Sequence, residues 1–553
     1  MNRRKFLYHS SLGGTALSTF SLASIFLSSC EPHSSAEDGS EKPQSNISIP
    51  AFELEEVTVA ELQKGMEEGR YTAESITQLY LDRIEAIDKN GPAINAVIEL
   101  NPEALDIARQ LDEERKNGNV RGPLHGIPVM LKDNIDTGDR MQTTAGALAM
   151  EGNIAKADAS IVKQLREAGA VILAKTNLSE WANFRSTRSS SGWSSRGGQT
   201  KNPYAIDRNP CGSSSGSGVA VSANLCTLAI GTETNGSIVC PSSTNGIVGI
   251  KPTLGLLSRT GIIPIAHTQD TAGPMARTVS DAAIMLGTMT AVDENDPATL
   301  TEERKALTDY TQFLDANGLQ GKRIGIWRGA MEFHEGVDAL MEEAFEAMRQ
   351  QGATLVDVEK VPADESLDGA GFQVLLYEFK ADLNKYLQEH PDAPVRSLEE
   401  VIAFNKENEE QAMPYFKQEI LEMAQEKGDL NTAEYKEALA KVKRVNGKEG
   451  IDQRMQEHNL GGTPLDAILA PTGGPAWPTD LITGDHFLGG SSSPAAQSGY
   501  PNITVPAGFV HGLPVGISFF GKAWTEPQLI SIAYAYEQAT KHRKAPEFLT
   551  HIV

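Results

Sequence analysis

Apolar residues recur at helical spacing early in the chain. Ile76, Leu79, Tyr80, Ile84 and Ile87 share one face, and Gly91-Pro92 ends the run. Just upstream, Thr58-x-x-Glu61 is a capping box, which predicts a short helix ending near Gly69. The pattern then changes. Leu124 to Leu131 and Val171-Ile172-Leu173-Ala174 are apolar runs of strand length, and 158–168 between them reads as a helix closed by Gly169. Arg323 to Trp327, Asp466 to Thr472, Asn502 to Pro506 and Val515 to Phe520 predict further strands, and a last helix runs from about Glu526 to Thr540. This alternation predicts an α/β fold: one large domain with a mixed central β-sheet flanked by helices. Residues 365–460 are acid-rich and helical, either an insertion capping the rest or a peripheral solvated bundle.

Composition adds bounds. The 553 residues are 40% hydrophobic and 22% charged, as in an ordinary globular protein able to bury a large core. A net charge of −24 speaks against a nucleic-acid partner, whose phosphates it would repel.

Residues 1–29 read as an export signal. Arg3-Arg4-Lys5-Phe6-Leu7 resembles a twin-arginine n-region, and a small, apolar stretch follows from Leu12. Leu27-Ser28-Ser29-Cys30 resembles a lipoprotein cleavage box, which would make Cys30 the lipidated first residue of the mature chain. Plain secretion with an incidental cysteine is the alternative. Residues 30–52, rich in Ser, Glu and Pro, read as a tether, and the folded domain spans 53–553. The chain is expected to be exported, periplasmic or membrane-anchored through Cys30, and a monomer. With Cys30 lipidated, Cys211, Cys226 and Cys240 remain, so at least one is a free thiol. The simplest expectation is that all three are small apolar fillers.

From about 192 to 275 the chain turns to Gly, Ser, Thr, Asn and Pro. Two loops stand out there: Pro210-Cys211-Gly212-Ser213-Ser214-Ser215-Gly216-Ser217 and Gly231-Thr232-Glu233-Thr234-Asn235-Gly236-Ser237-Ile238. Upstream, Lys132 closes the apolar run 126–131. A lysine at such a position is desolvated, which favours its neutral amine and lets it act as a base. Lys132 would take the proton of Ser213, and Ser213 that of Ser237. Thr234-Asn235-Gly236 can turn sharply and aim backbone N–H groups at an oxyanion. The chemistry so supplied is amide hydrolysis through an acyl-enzyme, with no metal or cofactor.

The order of Lys132, the GSS-type loop and the TxTxGS loop resembles the amidase signature family. The two serines are 24 positions apart, as in that family. Gly122-Pro123-Leu124-His125-Gly126-Ile127-Pro128, Lys132-Asp133-Asn134, Asn202-Pro203, Gly249-Ile250-Lys251-Pro252-Thr253 and Asp270-Thr271-Ala272-Gly273-Pro274 are similar to further family landmarks, over about 53–545. The resemblance implies Lys132 as base, Ser213 as bridging serine after a cis peptide, and Ser237 as nucleophile. It places the oxyanion donors on the backbone of Thr234, Asn235, Gly236 and Ser237. Cys211 and Ser215 stand where glycines are common, and Val239 where many members carry arginine, which makes an anionic substrate less suitable. The loops look most like the peptide amidase branch, implying release of ammonia from C-terminal peptide amides. Other acyl or aryl amides are the alternative substrates.

Three rival readings exist. Gly212-x-Ser214-x-Gly216 fits a nucleophile elbow, but the histidines that would complete it, His267 and His511, lack a recognisable context. Ser160-x-x-Lys163 fits an SxxK pattern, yet the helix periodicity turns both residues to solvent and no partner motif follows. A non-enzymatic peptide-binding lipoprotein would suit the leader and tether but gives no reason for Lys132 and both serine loops to occur together.

Overall fold

The two uninterrupted apolar runs become neighbouring parallel strands at the heart of a sheet. In the computed structural model, which describes residues 49–552 apart from 359, 363–366 and 457–462, the strands are β1 (Val97–Leu100), β2 (Pro128–Lys132), β3 (Val171–Thr176), β4 (Leu228–Glu233), β5 (Val248–Lys251), β6 (Thr271–Ala276), β7 (Arg323–Trp327), β8 (Thr354–Val358), β9 (Ala467–Pro471), β10 (Asn502–Val510) and β11 (Leu513–Phe520). They form one sheet in the order β1-β3-β2-β4-β6-β5-β10-β11-β9-β7-β8. β3, β2 and β4 run parallel, as do β9, β7 and β8; the remaining neighbours are antiparallel. The result is the mixed sheet expected, within one compact unit over 45–553. Residues 1–29, read above as an export signal, and Cys30 lie outside the described residues.

Every residue of β2, β3 and β4 is buried, which is why their sequences show no in-out alternation. β2 is shorter than the apolar run that announced it. Leu124 to Ile127 instead make a turn, with the Ile127 N–H donating to the Leu124 carbonyl and Gly126 at φ +81°. The early helices form where the pattern places them. The Thr58/Glu61 capping box opens the helix Val59–Glu67, and the helix Ala73–Arg83 passes into a wider turn over Ile84–Lys89 before Gly91-Pro92. The core reaches slightly further back than residue 53, because Phe52 packs on Tyr80.

Five helices, from Asp368–Glu389 to Ala433–Lys443, lie within the acid-rich segment. Three of them, Asp368–Glu389, Leu398–Glu407 and Glu419–Gln425, share a hydrophobic cluster with loop residues of the rest of the domain: Leu376, Phe379 and Leu383 pack with Trp181, Phe184, Ile263 and Ile265. Among the described residues no helix is long and apolar enough to cross a membrane.

Candidate active site

β2 and β4 end at the same edge of the sheet because they run parallel, with Leu131 opposite Ile230. Ligand sites of α/β sheets form beyond such carboxyl ends. Lys132, the last residue of β2, is fully buried. Its Nζ lies 2.7 Å from Ser213 Oγ, 2.9 Å from Thr232 Oγ1 and 3.2 Å from the Thr232 carbonyl. Burial lowers its pKa to about 7, against an opposing pull from Asp270 and Glu233. A fraction of the amine is therefore neutral near neutral pH.

The first serine loop leads into the helix Ser215–Ser222, and its Gly212–Ser213 peptide is cis. The loop is tied down on both sides. The Ser179 N–H donates to the Ser213 carbonyl at 3.1 Å. The Ser214 hydroxyl donates to the Thr232 carbonyl at 3.0 Å and accepts from the Thr232 N–H at 3.1 Å, so it is stitched into β4. That approach requires Gly231, since a Cβ there would sit 2.7 Å from Ser214 Oγ.

The second loop follows β4 directly. Gly236 adopts φ +83°, a conformation that favours glycine, and a Cβ would lie 3.1 Å from Ser492 Oγ. Glu233 Oε2 accepts the N–H groups of Ile238 and Val239 at 2.8 and 3.1 Å, so it gathers the chain just beyond the turn. Among the described residues, the N–H groups of Thr234, Asn235, Gly236 and Ser237 have no acceptor. Four donors left without an acceptor on one tight turn are of the kind that can bind an anion together. The Asn235 side chain reaches Ser492 and Ser493 at 2.7 and 3.1 Å. The two serine loops meet where the Ser214 N–H donates to the Ser237 carbonyl at 3.1 Å. The Ser237 hydroxyl has no hydrogen-bond partner among the described residues, and its residue is 8% exposed.

Sequence reasoning passed over several groups that hold this arrangement. Asn134 donates to Thr232 Oγ1 at 3.0 Å. Asp270 accepts the Thr234 hydroxyl at 2.5 Å on one oxygen and the N–H groups of Ile265 and Ala266 on the other. Burial pushes the Asp270 carboxyl up to about 6. Asn134 and Asp270 stood in noted motifs, but nothing in their spacing announced these bonds.

The cysteines require a correction. Cys211 and Cys240 are not separate apolar fillers but a disulfide, with Cα atoms 6.0 Å apart. The sheet brings the two serine loops side by side, and this sets their thiols within bonding reach. Cys226 is the buried free thiol.

The rival motifs are otherwise engaged. Ser214 is held by β4 rather than by a histidine, and His267 Nδ1 pairs with Asp382 at 2.8 Å. His511 sits in the turn between β10 and β11. Lys163 is exposed on the helix Ser160–Glu167 and faces Glu167. His267, Glu378 and Asp382 bring ligand-type atoms within 4.8 Å of one another. Their oxygens already accept from Thr268, Tyr435 and the His267 N–H.

Known proteins resemble this chain over most of its length. The Amidase family model matches residues 75–530. A probable amidase of Arabidopsis thaliana is 43% identical over 507 residues, covering 90% of this chain and 93% of its own. The native peptide amidase of Stenotrophomonas maltophilia superposes with a TM-score of 0.86 at 51% identity, covering 90% of this chain and all of that one. A peptide amidase solved with the competitive inhibitor chymostatin gives 0.87 at 52% identity, with the same coverage of 90% and 100%. The chain belongs to the amidase signature family and is an amidase.

Proposed function

We propose that this amidase hydrolyses C-terminal carboxamides of peptides, releasing ammonia, with Lys132, Ser213 and Ser237 as base, relay and nucleophile. The contact that carries this reading is the 2.7 Å approach of Lys132 Nζ to Ser213 Oγ between two fully buried residues. Neutral Lys132 accepts the Ser213 proton while Ser213 accepts that of Ser237, and Ser237 Oγ attacks the carboxamide carbon. Charge then develops on the carbonyl oxygen, where the N–H groups of 234–237 have no competing acceptor. The proton returns along the same path to the departing nitrogen, ammonia leaves, and water attacks the acyl-enzyme by the reverse relay. The peptide substrate is supported by the 51–52% identity to peptide amidases and by Val239, which puts no cation beside the nucleophile.

Export is part of this proposal. It is supported by the basic leader at Arg3-Arg4-Lys5, by the small residues before Cys30, and by a disulfide that suits an oxidising compartment. Cys30 is then the site of lipid attachment.

Ammonia release from a panel of one peptide amide, one fatty acyl amide and one aryl amide tests the substrate. The peptide amide is expected to give the highest kcat/KM; a preference for either other class would redirect the assignment. A fluorophosphonate probe should label the native chain and not Ser237→Ala. Labelling that survives in Ser237→Ala would remove Ser237 from its role.

A further inference from the structure

Cys211 occupies an uncomfortable backbone position. Its φ is +57°, in the left-handed region that glycine visits freely and other residues avoid. Holding a side-chain-bearing residue there costs on the order of 1 kcal/mol or more unless surrounding structure compensates. Part of the compensation here is covalent, because Cys211 is bonded to Cys240. Cys211 is two residues before Ser213, and Cys240 is three residues after Ser237. The bridge therefore spans the two loops whose hydroxyls must exchange a proton.

The other ties between these loops are hydrogen bonds. The Pro210 carbonyl accepts from the Thr244 hydroxyl at 2.7 Å and from Asn245 Nδ2 at 2.9 Å, and the Ser214 N–H reaches the Ser237 carbonyl. Within the first loop the Cys211 N–H donates to Asn209 Oδ1 at 2.8 Å, the Cys211 carbonyl accepts from the Ser215 hydroxyl at 2.6 Å and the Ser213 carbonyl from the Ser179 N–H; these bonds hold the loop to its own neighbours, and the disulfide is what ties Cys211 across to the second loop. Cys240 is partly exposed, so a small reductant can reach its sulfur. Cys226 is fully buried and its thiol is pushed up to about 12, so it is a poor attacking group for reshuffling the bridge.

We propose that Cys211 and Cys240 are positioning residues for the proton relay, and that full turnover requires their disulfide to be intact. The inference rests on the Lys132–Ser213–Ser237 reading above. Reduction by a dithiol transfers two electrons and two protons: the S–S bond breaks, two thiols form, and the reductant closes to its own disulfide. Only the hydrogen bonds to Asn209 and Ser215 then oppose the return of Cys211 from the left-handed region, and as it relaxes Ser213 shifts with it relative to Lys132. A displacement of about 1 Å in such a relay costs on the order of a hundredfold in rate. The Cys240 N–H donates to the Gly236 carbonyl at 2.8 Å, so the turn of 234–237 keeps a tie of its own when the bridge opens, and KM should change far less than kcat.

The test uses the purified full chain with dithiothreitol as the probe. Thiol counting before and after treatment reports the bridge, and kcat and KM for a peptide amide report the site. The expected result is two new thiols, a fall in kcat of about tenfold to a hundredfold, and a KM within about threefold. Cys226→Ala should respond as the parent does. Cys211→Ala/Cys240→Ala should show the lowered kcat without reductant and no response to it. Cys211→Gly/Cys240→Ala should recover part of the loss, since glycine accepts φ +57° at no steric cost. A merely structural bridge would lower thermal stability and leave the kcat of the folded fraction unchanged. The proposal is overturned by that outcome, or by reduced enzyme that keeps kcat within about twofold. Undiminished turnover in Ser237→Ala would instead bring down the relay reading, and this proposal with it.

Discussion

Thr232 presents two oxygens to Lys132, its hydroxyl at 2.9 Å and its carbonyl at 3.2 Å. A neutral amine has two N–H bonds and one lone pair. With both N–H groups directed at Thr232, the lone pair is left for the Ser213 hydroxyl at 2.7 Å. Asn134 Nδ2 donates to the same Thr232 hydroxyl and fixes its orientation. Thr232 thus decides which way the lone pair of neutral Lys132 faces. Thr232→Val removes the hydroxyl and keeps the shape. We expect kcat to fall about tenfold to a hundredfold, from the loss of one buried hydrogen bond worth roughly 1–3 kcal/mol. KM should stay close to the parent value, and Thr232→Ser should restore most of the rate. Steady-state kinetics on the three proteins checks this.

In the proposed relay the same lysine sets the pH dependence. Its pKa is about 7 in the folded chain, so kcat/KM should rise as pH passes upward through 7 and the neutral amine accumulates. Stability has a related signature. Lysine in the unfolded chain keeps its ordinary value of 10.5, so between about 7 and 10.5 the unfolded state binds a proton that the folded state does not. Stability therefore increases with pH across that window. Lys251 and Lys443, lowered to about 8 by burial, add to the trend. Lys132→Met should lose the kinetic limb, drop kcat by about a hundredfold or more, and show a smaller gain in denaturation midpoint between about pH 7 and 9. A rate profile flat through neutral pH, with chemistry limiting, would contradict the assignment of the base.

Asp270 holds the turn of 234–237 through Thr234. One carboxylate oxygen accepts the Thr234 hydroxyl, and the other accepts two backbone N–H groups, from Ile265 and Ala266. Asparagine cannot serve all three, because its amide nitrogen donates. Asp270→Asn should leave at least one buried donor unpaired, at a cost of about 1–3 kcal/mol. Because Thr234 belongs to the turn, kcat should fall as well, by about tenfold on the scale of a displaced oxyanion donor. Thermal melting and kinetics on one preparation separate the two effects. Unchanged kcat with lowered stability would confine Asp270 to a folding role.

Legibility in the sequence followed how local each signal is. The buried strands β2 and β3 were visible because central parallel strands have no polar face, so roughly four to six apolar residues run together. Lys132 was visible for the same reason, as a charge closing such a run. The start of β2 was misplaced because Leu124 and Ile127 are apolar yet lie in a turn whose geometry depends on Gly126. Thr232, Asn134 and Asp270 were silent because their roles arise from register between strands far apart in sequence. The disulfide was silent for a similar reason. Cysteines 29 positions apart pair only because β4 returns its loop beside the one that precedes the helix Ser215–Ser222.

Arg185 links the helical segment to the active-site loops, and it should be the most sensitive charged residue for stability. It is fully buried and meets Glu180 at 2.7 Å, the Ala412 carbonyl at 2.6 Å and the Phe416 carbonyl at 3.2 Å. Its guanidinium lies 4.2 Å from the Phe416 ring and 5.0 Å from that of Trp193. Glu180 follows Ser179, whose N–H holds the Ser213 carbonyl. Arg185→Met would strand the Glu180 charge in the interior, and breaking one partner of a buried pair costs about 3–5 kcal/mol. We expect a large fall in the denaturation midpoint, faster proteolysis within 412–416, and reduced kcat through Ser179. Adding Glu180→Gln removes the stranded charge, so the double variant should be more stable than Arg185→Met alone. If the double variant were the less stable of the two, the stranded carboxylate would not be the cause, and the lost contacts to Ala412 and Phe416 would have to account for the whole effect.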